Sequence, residues 1–275
     1  MAQLGCAATV TERRQSRVFG EVAELYHRHR PDYPSSLFDW IVDRAELAPG
    51  ARILDIGAGT GKSSTWFVGR GHHVTAVEPD QAMGEVARSS AAASGRLTVE
   101  VAALQDFDPG ERRWDLAVSG QAWHWADPAT RFADVAACLS PTGRLCVFWN
   151  RPDVAERPFA EEIDEVYLRC APDLARGLAA VQFPGSKSAV SAATPSDEFD
   201  NSGLFEQVEL REIGWSREVT TEDHCSNLRT QSDHRMLDPG VLETLIDSIA
   251  EIIDRHGGRY DLGYTTHAYL ARVRS

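Results

Sequence analysis

The stretch Ile53-Leu54-Asp55-Ile56-Gly57-Ala58-Gly59-Thr60-Gly61 decides the fold. An apolar run reads as a short buried strand, and it breaks into a loop with glycine at every second position. A helix follows, then a second strand, His73-Val74-Thr75-Ala76-Val77, which ends in Glu78. Glycines 57, 59 and 61 leave no side chain where a ligand would lie against the backbone. An acid about 20 residues beyond such a loop sits at the carboxyl edge of a parallel sheet, placed to hold ribose hydroxyls. The pattern predicts an adenosine-containing ligand.

Spacing separates the candidate ligands. The dinucleotide fingerprint requires a third glycine three residues after the second, where this chain has Lys62. The phosphate-cradling loop requires a glycine where Ile56 stands, so Gly61-Lys62-Ser63 is a near miss that alone would point to an NTP-using enzyme. The pattern acid-x-Gly-x-Gly-x-Gly is met at every position by Asp55 to Gly61. A carboxylate beside a phosphate costs Coulomb energy, whereas it suits an ammonium or a sulfonium. S-adenosylmethionine carries both and has no phosphate.

With these residues in place, the chain resembles the class I S-adenosylmethionine-dependent methyltransferases. The nearest likeness is to their small-molecule branch of trans-aconitate methyltransferase-like enzymes. Phe19-Gly20-Glu21-Val22-Ala23-Glu24-Leu25-Tyr26 and Arg30-Pro31-Asp32-Tyr33-Pro34 resemble that branch's N-terminal lid. Gln121-Ala122-Trp123-His124-Trp125 resembles its segment after the fourth strand. The resemblance spans nearly the whole chain and implies methyl transfer, with the lid folding over the cofactor.

Composition narrows the partners. The chain of 275 residues is 43% hydrophobic, enough to bury a full core. A net charge of -13 repels a phosphate backbone, and the pairs Arg13-Arg14 and Arg112-Arg113 stand without interleaved aromatics, so nucleic acid is not expected as a partner. No run has the length of a membrane span and no signal-peptide core is present. The five cysteines are scattered, with no Cys-x-x-Cys pair to suggest zinc, and no metal is expected. The expected setting is a reducing cytoplasm, and the expected partner a small molecule, acting on a monomer or homodimer.

Strand and helix alternate from about residue 50 to 150, which predicts an α/β fold with a Rossmann-like, mostly parallel sheet. Expected strands are Arg52–Ile56, His73–Glu78, Leu97–Val101, Trp114–Ser119 and Arg144–Trp149, the last launched by the turn signal Pro141-Thr142-Gly143. Val208–Trp215 and Tyr264–Val273 complete seven strands, the last antiparallel as the resemblance implies. The expected division is a tail and helical lid over 1–49, with residues 1–16 as tail, and a cofactor-binding core over 50–150. A cap insertion then spans 151–205, with a helix at Phe159–Cys170 and an Ala/Ser/Pro/Gly-rich run near 184–196. The rest, 206–275, completes the sheet and holds helices at Thr221–Leu228 and Pro239–Arg255.

Ligands of such sheets bind where the strands' carboxyl ends open. The expected cofactor residues are Asp55, Gly57, Ala58, Gly59 and Gly61, with Asp55 orienting the methionine end through the loop backbone or a water. Glu78 and its neighbour Pro79 take the ribose side, a reading favoured over Glu78 as a cap of the helix near Asp80 because loop and acid occur together. Many class I enzymes place an aspartate after strand three for adenine. Here alanines stand there, and Ala103 and Leu104 would serve through their backbone. Gln121 closes the set. Methyl transfer is an in-line displacement that needs alignment and, for some acceptors, a general base. His124 is the candidate base, with a packed wall as its other reading. Tyr26 is the second catalytic candidate, and Arg30, Trp123 and Asn150 are the candidate substrate contacts. The chain lacks the Asn/Asp-Pro-Pro-aromatic motif of enzymes that methylate a flipped base. The same loop would also serve a protein that holds the cofactor without transferring methyl, such as a cyclase or a binding module.

Overall fold

The computed structural model describes residues 23–153, 159–175 and 195–274. The residues Phe19–Val22 of the lid motif, the 1–16 tail and most of the run near 184–196 lie outside them.

Helices α1 (Ala23–His29) and α2 (Ser35–Arg44) precede strand β1 (Arg52–Ile56). Helix α3 (Lys62–Gly69), β2 (His73–Val77), α4 (Gln81–Ser90) and β3 (Leu97–Glu100) follow. Then come β4 (Trp114–Gly120), α5 (Arg131–Cys138) and β5 (Leu139–Pro152). Helices α6 (Ala160–Cys170) and α7 (Pro195–Ser202) lead to β6 (Phe205–Thr220). Helices α8 (Thr221–Arg229) and α9 (Pro239–Arg255) lead to β7 (Arg259–Val273).

The strands form one sheet in the order β3-β2-β1-β4-β5-β7-β6. Strands β1 to β5 pair in parallel, and β7 runs antiparallel to both β5 and β6. This is the expected seven-stranded Rossmann-like sheet. The order reverses between β1 and β4, and at that switch point the carboxyl ends of two strands part to leave a crevice.

Both faces are covered, so β1 and β4 are apolar along nearly their whole length rather than alternating. On one face Ile53, Val74, Leu116 and Phe148 pack with Leu37, Phe38 and Ile41 of α2 and Phe67 of α3. On the other, Leu54, Ala117, Leu145 and Val147 meet Phe132 and Val135 of α5 and Phe199 of α7. A separate apolar cluster joins α6, α8 and α9 to the far ends of β6 and β7 through Ile163, Val166, Ile249, Val219 and Tyr264. It forms a roof beyond the carboxyl edge of the sheet.

Strands β5, β6 and β7 extend well beyond their expected limits. Strand β5 starts at Leu139, because Leu139 pairs with Trp114 and a register shift before Leu116 absorbs Pro141-Thr142-Gly143 without ending the strand. The last two strands are longer than their apolar patterns, since β6 and β7 stay paired antiparallel from Glu209↔Leu270 to Thr220↔Arg259. Pairing between distant segments sustains polar residues in strand form where the local sequence gives no signal.

Helix caps follow the sequence. Asp80 accepts a hydrogen bond from the Met83 amide at 3.0 Å and is the N-cap of α4. The Asp80→Ala variant should lose about 1 kcal/mol of stability, read as a lower denaturation midpoint at unchanged m-value. An unchanged midpoint would remove the cap from the account of this helix.

Candidate active site

The crevice is built from the loop after β1 and the end of β4. Gly57, Gly59 and Gly61 all have positive φ, at 63°, 57° and 81°. Two of them are required by close packing as well. A Cβ on Gly57 would lie 2.5 Å from the Ala122 Cβ, and one on Gly61 would lie 3.0 Å from the Ala87 Cβ. Gly59 faces open space, with nothing within 4 Å of its Cβ position. Its φ still disfavours any side chain, so the loop offers bare backbone to whatever lies against it.

Glu78 follows β2 and is buried, with 7% of its surface exposed. One carboxylate oxygen accepts from the Gly59 amide at 2.8 Å and the other from the Asp80 amide at 2.9 Å. Each oxygen keeps acceptor capacity for a further donor. Burial pushes the Glu78 carboxyl up to about 7, against the two backbone bonds that favour its charged form. The capping role that the sequence left open to Glu78 falls to Asp80. Pro79, beside it, is exposed.

Asp55 is fully buried at the end of β1. Its Oδ2 accepts from the hydroxyls of Ser63 at 2.6 Å and Ser64 at 2.5 Å, tying the strand to the first turn of α3. Its Oδ1 has no hydrogen-bond partner among the described residues. Burial raises the carboxyl above its ordinary value, opposed by the two serine hydroxyls and the Ser64 backbone amide. Asp55 is thus bonded to the helix start, where sequence suggested the loop backbone or a water, and one buried acceptor remains to be satisfied.

The lid lies directly over the loop. A pocket of about 40 Å³ is lined by Tyr26, Tyr33, Gly57, Gly59, Lys62 and Gly120, among others. The His27 Nδ1 and the Thr60 hydroxyl are 3.0 Å apart, and Lys62 pairs with Asp32 at 2.5 Å. Burial, helped by nearby Lys62, lowers the His27 pKa. Tyr33, within the Arg30–Pro34 motif, joins the site although its sequence position gives it no separate role. Its ring meets Phe148 edge-on at 4.8 Å, and a Cβ on Gly120 would lie 2.6 Å from its hydroxyl. Burial raises its phenol well above the ordinary value.

The other candidates divide. Gln121, at φ 59°, donates from Nε2 to the Asn150 carbonyl at 3.1 Å. Asn150 donates to the Asp32 carbonyl at 3.0 Å and accepts from the Thr266 hydroxyl at 2.6 Å, so it anchors the lid to β5 and β7. Arg30 donates to the hydroxyl and carbonyl of Thr230 and lies over the Tyr26 ring at 5.0 Å, which ties the lid to the roof. Trp123 was expected on the substrate wall, but its ring is 1% exposed in the core. Phe132 packs against that ring, and the Arg131 guanidinium lies 5.1 Å from its centroid. His124 is exposed on the short turn Trp123–Trp125 and leans on Trp125 at 4.7 Å. Ala103 and Leu104 enter a short turn after β3, with Leu104 buried and Val101 beside them 47% exposed. The sequence missed that apolar surface because Val101 reads as the last residue of a strand.

Among the described residues no cluster of His, Cys, Asp or Glu could hold a metal ion, and no helix is long and apolar enough to cross a membrane.

Residues 53–143 match a family model described as a methyltransferase domain. An uncharacterised methyltransferase of Mycobacterium tuberculosis is 38% identical over 145 residues, 53% of this chain and 57% of that protein. The match thus spans little more than half of that relative's length. A proposed type II methyltransferase from Anaeromyxobacter dehalogenans superimposes with a TM-score of 0.58 at 24% identity, covering 88% of this chain and 97% of that one. An S-adenosylmethionine-dependent methyltransferase from Thiobacillus denitrificans was solved with S-adenosylhomocysteine. It superimposes with a TM-score of 0.50 at 20% identity, covering 93% of this chain and 98% of that one. These two likenesses are likenesses of fold.

Proposed function

We propose that this chain, whose residues 53–143 carry a class I methyltransferase domain, transfers the methyl group of S-adenosylmethionine to a small-molecule acceptor. The observation that carries the reading is the pair of acceptors at one crevice: the Glu78 carboxylate beside bare Gly59, and the unpaired Asp55 Oδ1 behind the loop. Glu78 takes the ribose hydroxyls. Gly57 to Gly61 pass along the sugar and methionine. The ligand's ammonium is the cation that suits Asp55 Oδ1. Adenine rests against Val101 and the Ala103–Leu104 backbone.

Bound S-adenosylmethionine supplies an electrophilic methyl on a sulfonium whose charge is quenched as the acceptor attacks. The chain's part is alignment and exclusion of water, which need no covalent intermediate. Tyr26 and Tyr33 close the pocket from the lid side, and Gly120 leaves room for them at the end of β4. Gln121 and Asn150 hold the lid's carbonyl at Asp32 in register with the sheet. His124 stands at the rim. The lid motif Arg30-Pro31-Asp32-Tyr33-Pro34 and the net charge of -13 support the small-molecule branch over nucleic-acid methylation.

The test is calorimetric titration with S-adenosylmethionine and S-adenosylhomocysteine, then incubation with methyl-labelled cofactor and a metabolite extract. Micromolar binding of both ligands and label in small molecules is the expected result. Absence of binding, or label confined to protein or RNA, overturns the reading.

A further inference from the structure

A second histidine meets the requirements of a general base better than His124. His29 ends the lid helix α1 and is 5% exposed. Its Nδ1 is 3.0 Å from Asp223 Oδ1, across 194 residues of sequence. Asp223 is itself held: its Oδ2 accepts from the Thr220 hydroxyl at 2.9 Å, within the capping box that starts α8. Burial works to raise the Asp223 carboxyl, but hydrogen bonds from His29 and Thr220 and the nearby Arg217 hold it below its ordinary value. An anionic Asp223 accepts the Nδ1 proton of neutral His29, which sets the tautomer with Nε2 as the bare acceptor. A fixed carboxylate behind an imidazole is the arrangement that orients a proton-accepting nitrogen.

The position is also right. His29 lies three residues beyond Tyr26, so the two share one face of the helix, and Tyr26 lines the pocket over the cofactor loop. The groups around His29 come from two sides. From the roof these are Asp223 on α8 and Arg217 on β6, which donates to the His29 carbonyl at 3.4 Å. From its own helix they are Tyr26 and, next in the chain, Arg30.

We propose that His29, oriented by Asp223, is the base that deprotonates the acceptor in the methyl transfer proposed above, on which this inference rests. His29 Nε2 takes the proton from the acceptor's O–H or N–H. The freed electron pair forms the bond to the methyl carbon, and the carbon–sulfur pair leaves on sulfur to give S-adenosylhomocysteine. The imidazolium, stabilised by Asp223, then returns its proton to solvent. Asp223 acts through His29 and is a positioning residue.

The discriminating variant is His29→Asn. Its side-chain amide still donates to Asp223, so the tie between lid and roof is kept while the base is removed. The full chain is incubated from pH 6 to 9 with the small-molecule fraction of a cell extract and with methyl-labelled S-adenosylmethionine held at saturation at every pH, so that the pH dependence of cofactor binding does not enter the rate. Wild type should label a product, with the rate rising from acid to neutral pH. His29→Asn should label it at least a hundredfold more slowly, with that acid limb gone and with unchanged cofactor affinity and melting temperature. Labelling by His29→Asn within threefold of wild type and with the same pH profile would overturn the assignment while leaving the methyltransferase reading intact. If wild type binds the cofactor but labels nothing in that fraction, both readings fall together. Should His29→Asn melt early, His29→Gln, whose longer amide reaches the Nε2 position, replaces it under the same criteria.

Discussion

Glu78→Ala should weaken S-adenosylmethionine binding roughly ten- to a hundredfold, because hydrogen bonds to a charged acceptor are each worth about 1.5–3 kcal/mol. The substitution removes the carboxylate proposed to hold the ribose and also frees the Gly59 and Asp80 amides that it now holds. Binding by wild type should depend on pH for the same reason. Ribose hydroxyls donate, so they select the ionised carboxylate, and burial has raised that group to about 7. Affinity should therefore climb by up to about tenfold per pH unit below 7 and level off above it. Stability runs the other way. A folded-state pKa of about 7 against an ordinary 4.5 means that ionising Glu78 disfavours the folded chain. Its contribution is most favourable below 4.5 and is lost as pH rises through 7. Titration calorimetry at pH 6 and 8 with thermal melts on the same samples reads both signs. Equal affinity at the two pH values, with Glu78→Ala binding like wild type, would take the ribose away from this residue.

Gly57→Ala should destabilise the chain strongly for the addition of a single methyl group. The position has φ 63°, where an L side chain costs about 1–2 kcal/mol. The new Cβ would stand 2.5 Å from that of Ala122, so loop and post-β4 segment must move apart at a cost of about 1–3 kcal/mol more. Gly50 isolates the first effect, since its φ is 77° and nothing lies within 4 Å of its Cβ position. Gly57→Ala should thus lose more stability than Gly50→Ala, and it alone should lose cofactor binding, because the displaced loop is the surface proposed to hold the cofactor. The idea fails if urea midpoints of the two variants coincide and both titrate like wild type.

The parts of this molecule that were legible in its sequence are those governed by neighbours along the chain. Arg52–Ile56 and Pro239–Arg255 have the predicted limits because an apolar run, a glycine break and an Asp-Pro start are local signals. Pro141-Thr142-Gly143 misled because a bulge against β4 accommodates it, and that depends on a partner strand. At the site, the loop and Glu78 were readable from spacing. The Trp123-His124 pair was not, because a single short turn decides which ring goes inward, and it sends Trp123 into the core and leaves His124 outside. The His29–Asp223 contact had no local trace, since only the folded lid brings residues 194 apart together.

Strand β7 links the three apolar clusters. Its Val273 and Ala271 belong to the core under α5, its Leu270 and Ala268 to the core under α2, and its Tyr264, Leu262 and Tyr260 to the roof. From Tyr264 to Arg272 it is bonded on both edges, to β5 and to β6. One continuous backbone thus passes through all three apolar clusters, and no cluster can melt alone without pulling apart the strand the other two rely on. Local opening is therefore confined to the segments that β7 does not thread, the lid and the loops at the carboxyl edge, and the proposed methyl transfer asks those same segments to admit cofactor and acceptor.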